Sequence, residues 1–436
     1  MLTREDNDLL CRVEGDAPMG QIMRRHWIPA CLSEEVTEPD GTPLKLRLLG
    51  QDLVVFRDTS GRLGALDALC PHRRAPLYLG RNEECGLRCL YHGWKFDVAG
   101  NVLEMASEPP GSRMIERMRH KAYPVHEAAG FVWVYLGPPD EQPEFLAPPW
   151  APAEDTRISI VKMQVRCNWA QVLEGAIDSA HSSTLHSTDM PSAPVDGAKA
   201  TGTAWPRPST DRSPKLEVQR TEWGFRYAAI RRPIFEPEHN DYIRITVFIA
   251  PFTALIPPNN RYNLAQAIIP VDDTHTMFHF IAWHPTDGID QTAWRAFCAA
   301  QPGIDLGEDW LPLRSPDNRY WQDRQAMRLG SFTGIKGIPT QDMAMWEGMG
   351  PIADRTREEL GLSDLAVAQF RSQMVRAARA FAAGQGAIGT GASRVTPATL
   401  RSFEGIVPKG TDWRGMGTVP AGTHRGLNAS RAKASI

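Results

Sequence analysis

Residues 70–95 contain Cys70-Pro71-His72-Arg73 and then Cys89-Leu90-Tyr91-His92-Gly93-Trp94-Lys95, a C-x-H-x16-C-x2-H pattern. Each half offers one thiolate and one imidazole. That donor set suits a [2Fe–2S] cluster in which Cys70 and Cys89 hold one iron and His72 and His92 the other, because neutral imidazoles stabilise the reduced form and raise the potential above that of an all-cysteine cluster. The competing interpretation is a structural zinc site, but Cys2His2 zinc sites group their two cysteines first and their two histidines second. Here the order alternates.

Around the motif the chain reads as short strands. Leu53-Val54-Val55-Phe56 and Leu63-Gly64-Ala65-Leu66 flank Arg57-Asp58-Thr59-Ser60-Gly61, a hairpin with a Gly-closed turn, and Phe131 to Leu136 is another strand-type run. An all-β domain is expected over 38–150, after an N-terminal helical segment, 1–37, in which Thr3 and Asp6 mark a helix start. The Pro-rich stretch from Pro138 to Pro152 is the candidate linker. Beyond it, 151–384 mixes strand-type runs, Tyr242 to Ile249 and Thr276 to Trp283, with helical ones near Gln341 to Arg357 and Leu365 to Phe381, a pattern of α+β type with an antiparallel sheet flanked by helices. Residues 385–436 lack periodicity and are expected to form an extended tail.

At the start of this second domain, Trp169, Val172, Leu173, Ala176, Ile177 and Ala180 repeat with helical spacing over Asn168 to Ala180. Glu174, Asp178 and His181 then fall on the opposite stripe, with His186 five residues later. A polar stripe alone is commonly a solvated face.

The two motifs together resemble the Rieske non-haem iron ring-hydroxylating oxygenases. Cys70-Pro71-His72-Arg73 and Cys89-Leu90-Tyr91-His92-Gly93-Trp94-Lys95 match the cluster motif, and Asp178 to His186 matches D-x-x-H-x4-H. The resemblance implies a mononuclear Fe(II) held by His181, His186 and a late carboxylate, for which Gln341-Asp342-Met343-Ala344-Met345-Trp346-Glu347 offers Asp342; Glu347 and Asp354 compete. Two His and one carboxylate on one face of iron leave positions open for dioxygen. Asp178 is implied as the catalytic bridge from a cluster histidine of a neighbouring subunit to His181, and hence a trimer or hexamer. Within the family the likeness is to the phthalate dioxygenase group, which hydroxylates aromatic acids with electrons from NADH through a separate flavin and iron–sulfur reductase. An aromatic carboxylate, phthalate first among them, is the expected substrate together with O2. Terephthalate, isophthalate or phenoxybenzoate, or a monooxygenase or O-demethylase outcome, are alternatives, and an electron-transfer Rieske protein is the alternative of another class.

A dicarboxylate requires cationic partners, and Arg supplies the bidentate fork. Arg244, on the polar side of Tyr242 to Ile249, and Arg207, between two prolines, are the candidates, with Ser179 as a further donor; Arg226, Arg231 and Arg232 are alternatives. Absence of a Gly-rich dinucleotide fingerprint agrees with a separate reductase. A net charge of -3 over 436 residues argues against nucleic acid. No apolar run reaches the ~18 residues of a membrane span, and the charged N-terminus is not that of a signal peptide, so a cytoplasmic protein is expected. Seven scattered cysteines do not form a secreted disulfide framework, and Cys85, with no obvious partner, reads as a small buried residue.

Overall fold

The structure is a computed structural model that describes residues 1–151, 157–194, 205–258, 262–284 and 289–417. The chain divides into two compact units. One comprises Val13–Phe145 with Ile269–Asp273, and the other Met1–Arg12, Leu146–Ile268 and the chain from Thr274 on. The division thus falls inside the Pro-rich stretch, but the N-terminal segment expected as one piece is shared between the units. Helix Arg4–Cys11, capped by Thr3 through the Asp6 amide, belongs with the second unit.

The first unit is built from three antiparallel sheets: Trp27–Leu32, Phe131–Tyr135 and Val125–Ala128; Leu44–Leu48, Gln51–Arg57, Leu63–Asp67 and Ala122–Tyr123; and Arg81–Glu83, Gly86–Arg88, Trp94–Phe96 and Val102–Met105. Its core gathers Val54, Phe56, Leu66, Leu77, Leu87, Trp94 and Phe96, and both motif cysteines are buried in it. Cys85, expected to be buried, is only half-buried, since it lies between strands Arg81–Glu83 and Gly86–Arg88. Residues too short of helical periodicity to nucleate a helix thus become strands whose alternate side chains meet in one core.

The second unit is an antiparallel sheet in the order Arg157–Val165, Thr276–His284, Asn263–Pro270, Thr253–Ile256, Asn240–Ile249, Gly224–Arg231, Lys215–Thr221. Strand Phe403–Pro408 also pairs with Asn240–Ile249. The expectation of a loose tail is therefore corrected over its described part: Trp413 is buried against Ala228, Ile243 and Ile245, so this segment has an apolar anchor that composition concealed. The alternation of β-type residues at Phe403-Glu404-Gly405-Ile406-Val407 was the available signal.

Two helices carry the chemistry of this unit. Trp169–Ala176 is capped by Asn168, whose side chain accepts from the Ala170 amide. It is shorter than the expected Asn168 to Ala180 because the Tyr227 hydroxyl donates to the Ile177 carbonyl and Asp178 turns back to accept from the Ala180 amide at 2.7 Å. The second helix is Ile338–Gly348, which ends well before the expected Arg357. A Cβ on Gly175 would lie 2.3 Å from the Trp346 indole nitrogen, so only glycine lets these helices approach this closely.

Glu174 does not share a stripe with Asp178. Its carboxylate takes bidentate hydrogen bonds from Arg355, at 2.8 and 3.1 Å, and from Arg371, at 2.8 and 3.0 Å, on helix Leu365–Ala382. Burial alone would raise its pKa, but the two guanidinium groups outweigh burial and hold it below the usual carboxylate range. Glu174→Gln is expected to take from the buried Arg355 its carboxylate partner and to leave Arg371 its pair with Glu358, 2.6 Å away, at a cost of about 3–5 kcal/mol, read as a fall of ~10 °C in the thermal midpoint by circular dichroism. Because the folded pKa is depressed, this stabilisation is present at neutral pH and disappears in wild type as acid protonates Glu174, so the two proteins should converge at low pH. An equal midpoint at pH 7 would rule the anchor out.

Candidate functional site

The motif in the first unit forms two loops of the same build. The Arg74 amide donates to the Cys70 carbonyl at 2.9 Å and the Gly93 amide to the Cys89 carbonyl at 3.0 Å, each four residues after its cysteine. Both closing residues are left-handed, Arg74 at φ 59° and Gly93 at φ 72°. The loops bring the His72 and His92 rings to 4.4 Å between centroids, and Trp94 stacks on His72 at 4.6 Å with its indole nitrogen donating to Ser107. His72 Nδ1 is buried with no hydrogen-bond partner among the described residues. Burial pushes the Cys70 thiol up to about 11, so the thiolate that the motif needs requires a bound cation. An orphaned ring nitrogen beside two buried cysteines fits an iron–sulfur cluster held by Cys70, His72, Cys89 and His92. Leu90 and Tyr91, at the tip of the second loop, are exposed.

In the second unit one ligand atom each from His181, His186 and Asp342 lie within 4.8 Å of one another. Asp342 Oδ1 is 3.0 Å from His186 Nε2 and 3.5 Å from His181 Nε2. Asp342 comes from the second turn of Ile338–Gly348, and the histidines from the turn segment after Trp169–Ala176. Two imidazoles and one carboxylate with open space beside them make a site for a divalent metal that keeps free positions. His186 Nδ1 is 2.8 Å from Gln341 Oε1. Asp178 Oδ2 stands 3.4 Å from His181 Nδ1. Burial would lower the His181 pKa, but Asp178 and Asp342 raise it, and His181 in turn keeps Asp178 low against burial. Glu347 points elsewhere, accepting from the Arg166 amide and the Tyr320 hydroxyl, and Asp354 accepts from Thr356. His279 lies inside the sheet, where burial takes its pKa down to about 3.

A cavity, open at its mouth, lies beside the three ligand residues. Trp205, Ile256, Leu264, Phe278 and Phe280 give it an apolar wall, and Ser179 and Arg244 stand in its lining. Arg244 is buried, as the polar side of strand Asn240–Ile249 requires, and pairs across strands with Glu404, Nη1 to Oε1 3.2 Å. The Tyr242 hydroxyl donates to the same carboxylate. Burial drives the Glu404 pKa up despite Arg244, while Glu404 drives the Arg244 pKa up despite burial.

Arg207 lies behind this lining rather than in it, its Nη1 donating to Ser183 Oγ at 2.6 Å. Arg231, one of three alternatives from sequence, holds the Ser179 carbonyl at 2.7 Å. Arg226 instead binds the Arg414 and Met416 carbonyls, and Arg232 binds Asp211. Burial and the neighbouring Arg244 charge bring Arg207 and Arg231 down to about 10. Arg207, Arg231 and Arg244 are thus buried within Coulombic reach of one another, and of the three it is Arg244 that pairs directly with Glu404. Sequence reasoning missed Glu404 and Gln341, the first because it sits in the tail and the second because a buried amide has no motif.

Two family models match the chain: the Rieske [2Fe-2S] domain over residues 26–124 and the LigXa C-terminal domain like model over residues 134–433. The phthalate 4,5-dioxygenase oxygenase subunit of Pseudomonas putida is 60% identical over 95% of this chain and 94% of its own. The 3-chlorobenzoate-3,4-dioxygenase oxygenase subunit of Comamonas testosteroni is 36% identical over 95% of this chain and 97% of its own. Among solved structures, the QL mutant of NdmA from Pseudomonas putida CBB5 with caffeine shares the fold at TM-score 0.59 and 18% identity, covering 83% of this chain and 92% of that one. Cluster loops, metal-binding triad and both domain matches agree, and the chain belongs to the Rieske non-haem iron oxygenases, as an oxygenase component with a [2Fe–2S] domain and a mononuclear-iron catalytic domain.

Proposed function

We propose that this chain adds both atoms of O2 to the ring of an aromatic dicarboxylate, phthalate first among them, with electrons from NADH delivered by a separate reductase. The observation that carries the substrate class is the arginine group: Arg244 stands in the wall of an apolar cavity that borders His181, His186 and Asp342, with buried Arg207 and Arg231 within Coulombic reach of it. Gathering buried cations of like charge is costly, and a ligand with two carboxylates on a flat apolar ring supplies counter-charge to them. The name of the 60%-identical relative agrees.

When bound, the cluster supplies single electrons and the iron the oxygen chemistry. The residues do the remainder. His181, His186 and Asp342 hold the iron, Arg244 and Ser179 orient the acid group with Arg207 and Arg231 behind them, and the apolar wall excludes water from the ring. Asp178, about a quarter exposed, connects His181 to a cluster histidine of a neighbouring subunit, in a trimer or hexamer. A cytoplasmic location goes with this reading, and no helix among the described residues is long and apolar enough to cross a membrane.

The test is turnover of phthalate under labelled O2 with a compatible reductase. Two labelled oxygen atoms in the product are expected. Incorporation of one atom would establish a monooxygenase instead, and no uptake with phthalate, its isomers or phenoxybenzoate would reject the aromatic-acid assignment.

A further inference from the structure

Gln341 is 3% exposed, and both ends of its side chain are occupied. Its Nε2 donates to Asp189 Oδ2 at 2.9 Å and to the Ile335 carbonyl at 2.9 Å. A carbonyl can only accept, and an ionised carboxylate likewise, so the amide must present nitrogen on that side. Its oxygen is thereby turned to His186 Nδ1, 2.8 Å away. An amide oxygen accepts and does not donate, so His186 carries hydrogen on Nδ1, and Nε2 on the opposite edge faces Asp342 Oδ1 at 3.0 Å.

The relay also connects the two stretches of chain that bear ligands. Asp189 follows His186 in one tight turn, with the Asp189 amide donating to the His186 carbonyl at 3.0 Å, whereas Gln341 precedes Asp342 on helix Ile338–Gly348. Nothing in D-x-x-H-x4-H includes Asp189 or Gln341.

We propose that Gln341 is a positioning residue for the iron site, its amide clamped by Asp189 and Ile335 so that His186 is held in one tautomer with Nε2 aimed at the metal. The inference rests on His186 being an iron ligand. It makes a directional demand: donor toward Asp189, acceptor toward His186. Gln341→Leu removes both ends. Gln341→Glu keeps the acceptor for His186 but sets a second carboxylate against Asp189. Adding Asp189→Asn to that variant restores a donor and an acceptor at the Asp189 junction, while the Ile335 carbonyl is left facing a carboxylate oxygen.

The experiment measures the Fe(II) dissociation constant anaerobically, by chelator competition, on the cluster-containing full chain stripped of mononuclear iron. Wild type, His186→Ala, Gln341→Leu, Gln341→Glu and the Gln341→Glu/Asp189→Asn double variant are compared, with the visible spectrum of the cluster as a check on folding. Gln341→Leu and Gln341→Glu should each weaken Fe(II) binding about 10–100-fold, the range for partners of metal-bound histidines, and the double variant should bind more tightly than Gln341→Glu, recovering the part of the loss that belongs to the Asp189 junction. A purely structural role would not be rescued by reversing the polarity of one junction. Fe(II) binding by Gln341→Leu at wild-type strength, or a double variant no tighter than Gln341→Glu, would overturn the proposal. If His186→Ala binds Fe(II) as wild type does, the ligand assignment itself fails, which is a different result.

Discussion

Asp342→Ala is expected to abolish substrate-dependent oxygen uptake while leaving the cluster's visible spectrum and electron acceptance from the reductase unchanged. The triad offers three donor atoms within 4.8 Å, and Asp342 is its only negative charge. Deleting it leaves two neutral imidazoles to hold a dication, so the loss should exceed the ~10–100-fold typical of outer partners and reach on the order of 1,000-fold or more. The cluster ligands lie in a different sheet system of a different unit, so their spectrum serves as an internal control. The measurement is oxygen consumption with phthalate beside the absorption spectrum and iron content. Retained activity would reject Asp342 as a ligand. A chain that served only as an electron carrier would also be indifferent to this change.

The second large effect is expected from Arg244. Removing its guanidinium in Arg244→Ala deletes a cationic partner in the cavity wall and takes from the Glu404 carboxylate its direct ion pair, Oε1 to Nη1 3.2 Å, leaving it the Tyr242 hydroxyl. Truncating one member of a buried, hydrogen-bonded charge pair costs about 2–5 kcal/mol, so KM for the dicarboxylate should rise by two to three orders of magnitude. Loss of that pair should separately destabilise the domain, by up to about 3–5 kcal/mol. These effects can be told apart by adding Glu404→Gln. The double variant should regain much of the thermal stability and none of the substrate affinity, because only the unpaired charge has been relieved. Steady-state kinetics and thermal melts on the three variants decide this, and an Arg244→Ala protein with unchanged KM would remove Arg244 from the substrate site.

The parts of this molecule that could be read from sequence are those whose chemistry is local. Cys70 and His72 follow strand Leu63–Asp67, and Cys89 to His92 join Gly86–Arg88 to Trp94–Phe96 a short way along the same unit, so spacing alone conveyed the donor set. His181 and His186 lie in one short segment. Asp342 is far along the chain and could be named only through the family pattern. The helix expected from Asn168 to Ala180 ended early because Tyr227, on a distant strand, takes the Ile177 carbonyl, a competition that no local periodicity reports. Glu174 had the right spacing to join Asp178 and His181, yet two arginines from remote segments draw it elsewhere. Glu404 was hidden for the same reason: its significance arises from strand pairing with Asn240–Ile249, and composition showed only a tail.

That pairing gives the far end of the chain an unexpected authority. Arg244 and Glu404 are direct partners in an antiparallel ladder, and side chains on a strand alternate between faces, so a slip of one residue would withdraw the acid and present Phe403 or Gly405 in its place. A nick or a frameshift ahead of Phe403 would spare every iron ligand yet change the electrical balance around the substrate. Such damage would be recorded as altered choice of molecule and not as a missing metal.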